Sequence, residues 1–571
     1  MKLILTYIRR HIGLFATALF FLTVEAMADL LQPAFMARIV DDGVKNADVS
    51  QILRYGAIML LIALAGAVSA VVRNIFSSRT SQLISKEFRS DLFQKVQTLS
   101  LENIDRLQPA SIITRITNDV TQIQEFINGC MRILVKAPIT CIGAIVLVVI
   151  QTPQQIPMLI AILAITSALI AANMKLGYPL FGVMQKKLDR LNNVSREFLS
   201  SIRVVKAFHA ESRETEKFDT ASYGLATAST SAMRVMAVFS PLINLTVNFG
   251  VVVLLWLSQH QNSMEIGRLM ASVNYMTQIL FAMGMISNIL NTSVRAMASA
   301  NRISEVLNET PAQKSPDAPK RPQWRAEITF DDVSFAYAGA GKEALNHISF
   351  CAKPGETIGI IGPTGSGKST LVNLVPRFYD ATKGCVRIDD IDVKQIDEEA
   401  LRSAVAVVPQ KALLFSGTIL ENLRWGRENA TMDEITRAAR IACADAFITR
   451  TADGYETRLG QGGVNLSGGQ KQRLCLARAL VRNPRILILD DCTSALDAET
   501  EAIVLSGLRR HLQDVTVLLI SQRISTVRKA DRILCLDDGV VQGFGPHTEL
   551  MTFCPTYQAI YHSQIGGEKN G

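Results

Sequence analysis

Long apolar stretches dominate the first half of this chain of 571 residues, and short apolar runs dominate the second half. Six stretches before residue 300 approach the roughly 20 apolar residues that a helix needs to cross a bilayer. The predicted spans are residues 12–36, 53–75, 130–150, 156–176, 236–258 and 266–290. Polar residues interrupt the last span, which is typical of a helix with one wall against water or a ligand. The pattern predicts a membrane domain with six transmembrane helices over residues 1–307.

The connections between these spans alternate between long and short. The two long ones are rich in Lys and Arg and keep a helical period, whereas "QTPQQIP" and "SQHQNSME" contain neither residue. Because cytoplasmic loops collect positive charge, we expect the long connections and both termini in the cytoplasm. Arg9, Arg10 and the apolar run after them imitate a cleavable signal peptide. We expect an uncleaved span, because apolar character resumes after Asp29 and Glu25 occupies the region of a cleavage site.

A change of pattern marks the boundary between two domains. Residues 308–325 are polar and rich in Pro, which is typical of a linker. From residue 326 to residue 571, short β-rich runs alternate with helical patterns. This alternation predicts an α/β domain with a largely parallel central sheet.

The composition supports a membrane protein. Hydrophobic residues make up 48% of the chain, and 59 basic against 51 acidic residues give a net charge of +8. The basic residues of the first half flank apolar runs, so a lipid bilayer explains them better than nucleic acid, for which no basic, aromatic-interleaved motif is present. The nine cysteines show no C-x-x-C spacing, so we expect free, buried thiols in a reducing compartment.

The strongest motif is "GIIGPTGSGKSTL", which follows a predicted strand and opens a predicted helix. It fits the phosphate loop G-x-x-x-x-G-K-[ST], in which backbone N–H groups and a helix N-terminus surround phosphate oxygens. Lys368 would reach the outer phosphates, and the Ser369 hydroxyl would bind Mg²⁺. The strand "ILILD" would supply Asp490 as a second Mg²⁺ ligand. The predicted nucleotide contacts in this loop are Gly362, Thr364, Gly365, Ser366, Gly367, Lys368, Ser369 and Thr370.

A second motif, "LSGGQ", heads a predicted helix, where a small hydroxyl and two glycines suit an anion. An ordinary helix cap is the alternative. With the phosphate loop before it and the acidic strand after it, the pentapeptide resembles the signature of ATP-binding-cassette (ABC) ATPases. Six spans fused to one cassette resemble an exporter-type half-transporter. The signature residues that the resemblance assigns to ATP are Ser467, Gly468, Gly469 and Gln470.

The resemblance implies further roles, with ATP and Mg²⁺ as cofactors. Tyr337 matches the aromatic residue that stacks on adenine, although a buried sheet tyrosine is the alternative. Gln410 matches a glutamine that senses Mg²⁺, and "SALD" (residues 494–497) matches a loop at the dimer interface. In this family two cassettes pair head to tail. Each ATP then lies between the phosphate loop of one chain and the signature of the other.

Two catalytic positions depart from the family pattern. Asp491 stands where the family has the glutamate that polarises water, and Gln522 stands where it has a histidine. Aspartate is one methylene shorter, and a displacement of about 1 Å costs on the order of 10²-fold in rate. The departures predict an ATP site with slow hydrolysis.

Together with the intact "LSGGQ", these departures resemble the degenerate-site subunit of bacterial heterodimeric multidrug ABC exporters, which implies a second, non-identical half-transporter as partner. A lipid or peptide exporter and a regulatory subunit without transport of its own are the alternatives.

The substrate signal is limited to two acids in the first span. Glu25 and Asp29 lie four residues apart, on one face of a helix. Ionisable residues inside the membrane are costly and usually functional, so the pair could attract cationic small molecules or line a polar cavity. An internal salt bridge, or a position near the outer water surface, would explain them equally well.

Overall fold

The computed structural model describes residues 2–153, 156–259, 266–316 and 318–565. The chain divides into two compact units. The first contains Met1–Lys95 and Ile112–Asn308, and the second contains Val96–Ser111 and Glu309–Gly571. Parts of the two short predicted loops, residues 154–155 and 260–265, lie outside the described residues.

The described residues before position 309 are almost entirely helical, as their apolar runs predicted. Short π-helical turns occur at Ile39–Val44, Arg115–Asp119 and Cys130–Leu134. The α-helices are α1 (Lys2–Arg10), α2 (Ile12–Arg38), α3 (Val49–Gln97), α4 (Leu101–Leu107), α5 (Pro109–Thr114), α6 (Val120–Gly129), α7 (Lys136–Gln151), α8 (Ile156–Ser200), α9 (Ile202–Ala207), α10 (Glu211–Gln259) and α11 (Ile266–Asn308).

Five stretches of the described residues are long and apolar enough to cross a membrane. The sixth predicted span lies in α11, where polar residues such as Asn274 and Gln278 interrupt the apolar run. Helix α3 contains 49 residues, which corresponds to about 70 Å at 1.5 Å per residue and exceeds a bilayer core of about 30 Å. The five stretches are Ile12–Val44, Val49–Gln97, Pro109–Gln151, Ile156–Ser200 and Glu211–Val253.

An apolar core joins α2, α7 and α11 in the first unit. Leu30, Val148 and Ile279 are among its buried side chains. Tyr275 is fully buried there and donates a hydrogen bond from its hydroxyl to the carbonyl oxygen of Leu30 at 3.0 Å. This bond satisfies the polar end of a large aromatic side chain inside an apolar core.

The second unit contains a largely parallel sheet, as predicted. The six-stranded sheet has the order β12-β11-β3-β10-β9-β6, and only β12 runs antiparallel to its neighbour. An antiparallel sheet has the order β2-β1-β4-β5, and β7 pairs with β8. The strands are β1 (Ile328–Phe335), β2 (Leu345–Ala352), β3 (Thr357–Ile361), β4 (Lys383–Ile388), β5 (Ile391–Asp392), β6 (Val405–Val408), β7 (Gly417–Thr418), β8 (Arg458–Leu459), β9 (Ile486–Asp490), β10 (Thr516–Ile520), β11 (Arg532–Asp537) and β12 (Val540–Gly545).

Helices cover both faces of the parallel sheet, and this explains the continuous apolar runs of its central strands. All five residues of β10 are buried, as are the first four of β9. The nine cysteines of the chain are free thiols that are buried or half-buried, as expected. The helices are α12 (Lys368–Leu374), α13 (Glu398–Ala404), α14 (Ile419–Arg424), α15 (Met432–Ile441), α16 (Asp445–Ile448), α17 (Gly468–Val481), α18 (Ala498–His511), α19 (Ile524–Val527), α20 (His547–Phe553) and α21 (Pro555–Ile565).

Candidate nucleotide site

A cavity of about 330 Å³ lies in the second unit at the carboxyl ends of β3, β9 and β10. Ligands of open parallel sheets bind at this edge, because the loops that follow the strands converge there. The cavity collects most of the predicted nucleotide residues from distant parts of the chain. Its lining residues are Tyr337, Ala344, Thr364, Gly365, Gly367, Lys368, Ser369, Thr370, Gln410, Asp490, Asp491, Ile520 and Gln522.

The phosphate loop adopts a backbone conformation that glycine alone permits without strain. Gly365 and Gly367 have φ values of 87° and 93°. A Cβ atom on Gly367 would lie 2.7 Å from the carbonyl oxygen of Ala344, so that position has no room for a side chain. Lys368 begins α12, and its Nζ donates to the carbonyl oxygens of Gly362 and Pro363 at 2.9 and 2.6 Å. Burial lowers the pKa of Lys368.

Two oxygen ligands predicted for Mg²⁺ lie side by side in this cavity. The Ser369 hydroxyl donates a hydrogen bond to Oδ1 of Asp490 at 3.0 Å. Burial raises the pKa of Asp490, and the bond from Ser369 opposes that shift. A hydroxyl and a carboxylate are the hard oxygen donors that Mg²⁺ prefers, so the residues present fit this ion.

The two residues predicted to depart from the family pattern, Asp491 and Gln522, contact each other. Asp491 is 7% exposed, and its Oδ2 accepts long hydrogen bonds from Nε2 of Gln410 at 3.4 Å and Nε2 of Gln522 at 3.5 Å. Burial raises the pKa of Asp491. Gln522 belongs to residues 521–523, named here the switch loop. The sequence predictions for Asp491, Gln522 and Gln410 therefore converge on one carboxylate.

Tyr337 lies at the rim of the cavity. Its side chain is 36% exposed, so the alternative of a buried sheet tyrosine does not describe it. The Tyr337 hydroxyl is 3.0 Å from that of Thr370, and its ring meets Tyr379 edge-on at 5.4 Å. Tyr379 donates to Oδ2 of Asp105 at 2.5 Å, which raises the pKa of Tyr379 after the larger effect of burial. Sequence reasoning missed Tyr379 and Asp105, since they are 274 residues apart.

The signature residues form a separate structure. None of Ser467–Gln470 is among the described residues that line the cavity. Ser467 caps α17, with its Oγ accepting from the Gln470 N–H at 3.3 Å, and Gln470 Oε1 accepts from the Ser467 N–H at 2.9 Å. A Cβ atom on Gly469 would lie 3.0 Å from the carbonyl oxygen of Ala495, so the helix start packs closely on the "SALD" loop. The helix cap that the sequence analysis gave as the alternative is present, and the remaining first-turn N–H groups favour an anion.

A buried carboxylate links Thr493, the residue before the "SALD" loop, to the switch loop, and the sequence analysis did not single it out. Glu501 on α18 is 5% exposed and accepts hydrogen bonds from Thr493 at 2.7 Å and Thr526 at 2.8 Å. Arg523 of the switch loop forms an ion pair with Glu501 at 2.7 Å. No signal in the sequence separates Glu501 from the exposed Glu499, because both lie in the first turn of the same helix.

We expect Glu501→Ala to destabilise the second unit by about 2–4 kcal/mol, because the buried hydroxyls and Arg523 lose their acceptor. This corresponds to a fall in its melting temperature of roughly 5–15 °C for a domain of this size. Tryptophan fluorescence of the purified chain in detergent would follow it, since Trp324 and Trp425 lie in this unit. The control Glu499→Ala should cost less than about 1 kcal/mol. Equal losses in the two variants would contradict the role of Glu501.

The two acids of the first predicted span are paired with cations. Glu25 is buried and bonds to Arg73 at 2.6 Å and to Lys136 at 2.7 Å, and Lys136 also pairs with Asp29 at 2.8 Å. The internal salt bridge, one of the alternatives from the sequence, therefore describes both acids. Glu25 also faces a cavity of about 520 Å³ in the first unit. The cavity is lined by Glu25, Arg73, Glu125, Asn128, Gly129, Arg132, Ile133, Lys136, Met285, Ile289 and Thr292.

The fold and the cavity define a membrane protein that carries a P-loop nucleotide site. Residues 15–283 match the family model of the ABC transporter transmembrane region, and residues 345–494 match the model of the ABC transporter ATPase domain, described as "ABC transporter". An uncharacterized ABC transporter ATP-binding protein of Bacillus subtilis is 38% identical over 571 residues, which cover 100% of this chain and 99% of that protein. The chain belongs to the ABC transporter family.

Two further comparisons place the chain among exporters. A multidrug efflux ATP-binding/permease protein of Mycobacterium tuberculosis is 33% identical over 536 residues, which cover 93% of this chain and 44% of that protein. The solved structure of a bacterial Atm1-family ABC exporter with ATP bound has a TM-score of 0.77 and 27% identity, and the match covers 98% of each chain. The chain is an exporter-type half-transporter in the membrane that couples ATP hydrolysis to transport, with its nucleotide-binding domain in the cytoplasm.

Proposed function

We propose that this chain is the degenerate-site subunit of a heterodimeric ABC exporter. Its own site binds ATP and Mg²⁺ but hydrolyses ATP slowly, and its "LSGGQ" completes a competent site whose phosphate loop belongs to a non-identical partner. The observation that carries the proposal is the contact of Asp491 with Gln522 in the cavity. An intact, capped signature helix lies outside that cavity and supports the second half of the proposal.

In this proposal, different residues of the cavity bind different parts of the nucleotide. The glycine-rich backbone and α12 hold the phosphates, and Lys368 moves from its carbonyl partners to the outer phosphate oxygens. Ser369, Asp490 and Gln410 would hold Mg²⁺, which would neutralise charge on the phosphates when bound. These residues would provide the phosphate and Mg²⁺ contacts on this chain's side of the ATP site.

The slow hydrolysis that we propose for this site follows from the geometry of Asp491. Phosphoryl transfer depends on positioning and on charge stabilisation, so the carboxylate must reach the attacking water. The shorter aspartate is held back by the amide groups of Gln410 and Gln522. Gln522 can donate a hydrogen bond to the γ-phosphate, but an amide does not become cationic.

We propose hydrophobic or amphipathic compounds as substrates, as in a multidrug exporter. Support comes from the multidrug efflux protein at 33% identity and from the cavity of about 520 Å³ in the first unit, which has both ionic and apolar walls. Glu25 lines this cavity. Because Arg73 and Lys136 offset the charge of Glu25 and Asp29, the two acids do not by themselves select cations.

The chain purified alone should turn over ATP at least about 100-fold more slowly than its complex with the half-transporter encoded by a neighbouring gene. The reason is that the competent site needs the catalytic glutamate and histidine of the partner. ATP turnover in reconstituted vesicles, with and without amphipathic compounds, measures this. Robust turnover by the chain alone would contradict the proposal. A complex that hydrolyses ATP but transports no compound would instead support a regulatory subunit.

A role of Tyr337 in adenine stacking predicts that Tyr337→Ala raises the Kd for ATP by about 5–100-fold, since base stacking contributes about 1–3 kcal/mol. Tyr337→Phe keeps the ring, loses only the bond to Thr370, and should stay within about three-fold of the unaltered chain. Equilibrium binding of ATP to the purified chain gives both values. Equal weakening by the two variants would assign the effect to the hydroxyl and reject stacking.

A further inference from the structure

The switch loop is held by a side chain from the C-terminal helix of the same chain. Oε1 of Gln564 accepts a hydrogen bond from the backbone N–H of Ile524 at 2.8 Å. Nε2 of Gln564 donates to the backbone carbonyl oxygen of Gln522 at 2.7 Å. One amide group therefore engages the peptide groups on both sides of Arg523.

One of these two bonds supplies a hydrogen-bond acceptor that the residues next to the switch loop do not provide. Helix α19 begins at Ile524, and in the described structure the side chain of Arg523 does not cap it. An unpaired N–H group at a helix start needs an acceptor, and Gln564 provides one from 40 residues away. The side chain of Arg523 is committed elsewhere, to Glu501 and to the carbonyl oxygens of Ser494 and Leu496.

Helix α21 is a rigid platform for this contact. Tyr557 is fully buried in an apolar cluster with Ile524 and Val527, and its hydroxyl lies 2.7 Å from Nδ1 of His547. Gln564 itself is exposed at the end of α21, so its removal leaves no cavity in the core. Its bonds to the switch loop are therefore separable from the packing of the helix.

We infer that Gln564 is a positioning residue for the nucleotide site. It fixes the backbone of Gln522, and this places the Gln522 side chain beside Asp491 and toward the γ-phosphate of bound ATP. The C-terminal helix thereby helps the site to distinguish ATP from ADP. The inference rests on the proposed contact between Gln522 and the γ-phosphate.

The test compares ATP and ADP affinities of the purified full-length chain by displacement of trinitrophenyl-ADP under conditions that prevent turnover. We expect Gln564→Ala to lower the ratio of ATP to ADP affinity about five- to ten-fold, with ADP affinity unchanged, because one positioned hydrogen bond to a charged group is lost. Gln564→Met keeps the length of the side chain but not its amide, so it should lower the ratio as much as Gln564→Ala does. The control Gln558→Ala changes another glutamine of α21, removes its bond to the Met551 carbonyl oxygen on α20, and should leave the ratio unchanged.

A merely structural role would weaken ATP and ADP binding equally, and this result would overturn the inference. Gln522→Ala should lower the ratio by itself, and adding Gln564→Ala to it should have no further effect, because both changes remove the same contact. A lower ratio in Gln522→Ala with an unchanged ratio in Gln564→Ala would reject the role of Gln564 alone. An unchanged ratio in Gln522→Ala would reject both that role and the proposed contact of Gln522.

Discussion

In the proposed heterodimeric complex, Ser467→Arg is expected to reduce maximal ATP turnover at least about 100-fold, because the proposal assigns the signature helix to the competent site. An arginine at the cap removes the bond to the Gln470 N–H and fills the space in front of the first-turn donors. Asp491→Asn should leave turnover within about two-fold, since the proposal places Asp491 in the slow site. Steady-state phosphate release from reconstituted complex measures both variants.

The matched control for this substitution is Ser403→Arg, which places the same charge on the exposed surface of α13. It should leave turnover unchanged. Loss of the Ser467 cap costs about 1 kcal/mol of stability, so the melting temperature must be compared with that of the control. A complex that loses activity with Asp491→Asn but keeps it with Ser467→Arg would reverse the assignment of the two sites.

The second large effect is a gain of hydrolysis. Combining Asp491→Glu with Gln522→His should raise turnover at the site of this chain on the order of 10²-fold, because the longer carboxylate reaches the attacking water and the imidazole can carry charge. The variants are best made in the Ser467→Arg background, where the competent site is silent and residual hydrolysis belongs to the slow site. Single-turnover hydrolysis of bound ATP provides the rate.

Each single change separates the two causes. Asp491→Glu alone tests the reach of the carboxylate, and Gln522→His alone tests charge at the γ-phosphate. Gln522→Asn serves as a control, since it keeps an amide but shortens the side chain. If the double variant hydrolyses no faster than the unaltered chain, these two residues do not limit the site, and the signature of the partner becomes the limiting element.

The chemistry-bearing parts of the second unit were predictable because they are local. The phosphate loop needs glycine at positive φ and a lysine at the start of a helix, and these features occupy consecutive residues. The acid at the end of β9 follows a fully apolar strand, which the hydrophobic pattern reveals. The capping box of "LSGGQ" likewise lies within four residues.

The membrane unit was predictable only in outline. Hydropathy located its spans, because the bilayer requires long apolar helices whatever their neighbours are. It did not locate the partners of Glu25, since Arg73 and Lys136 lie 48 and 111 residues away on other helices. Without these partners, a substrate site and a salt bridge looked equally plausible.

By itself, the sequence determined that a helical membrane domain precedes a P-loop ATPase domain, and it predicted that Asp491 and Gln522 depart from the catalytic pattern of the family. These properties depend on composition, periodicity and short motifs, which involve residues that are close together in the sequence. Only the tertiary structure decided that Asp491 contacts Gln410 and Gln522, that Glu501 joins two loops, and that Gln564 holds the switch loop. Such contacts join residues brought together by packing, and no local pattern records which side chains will meet.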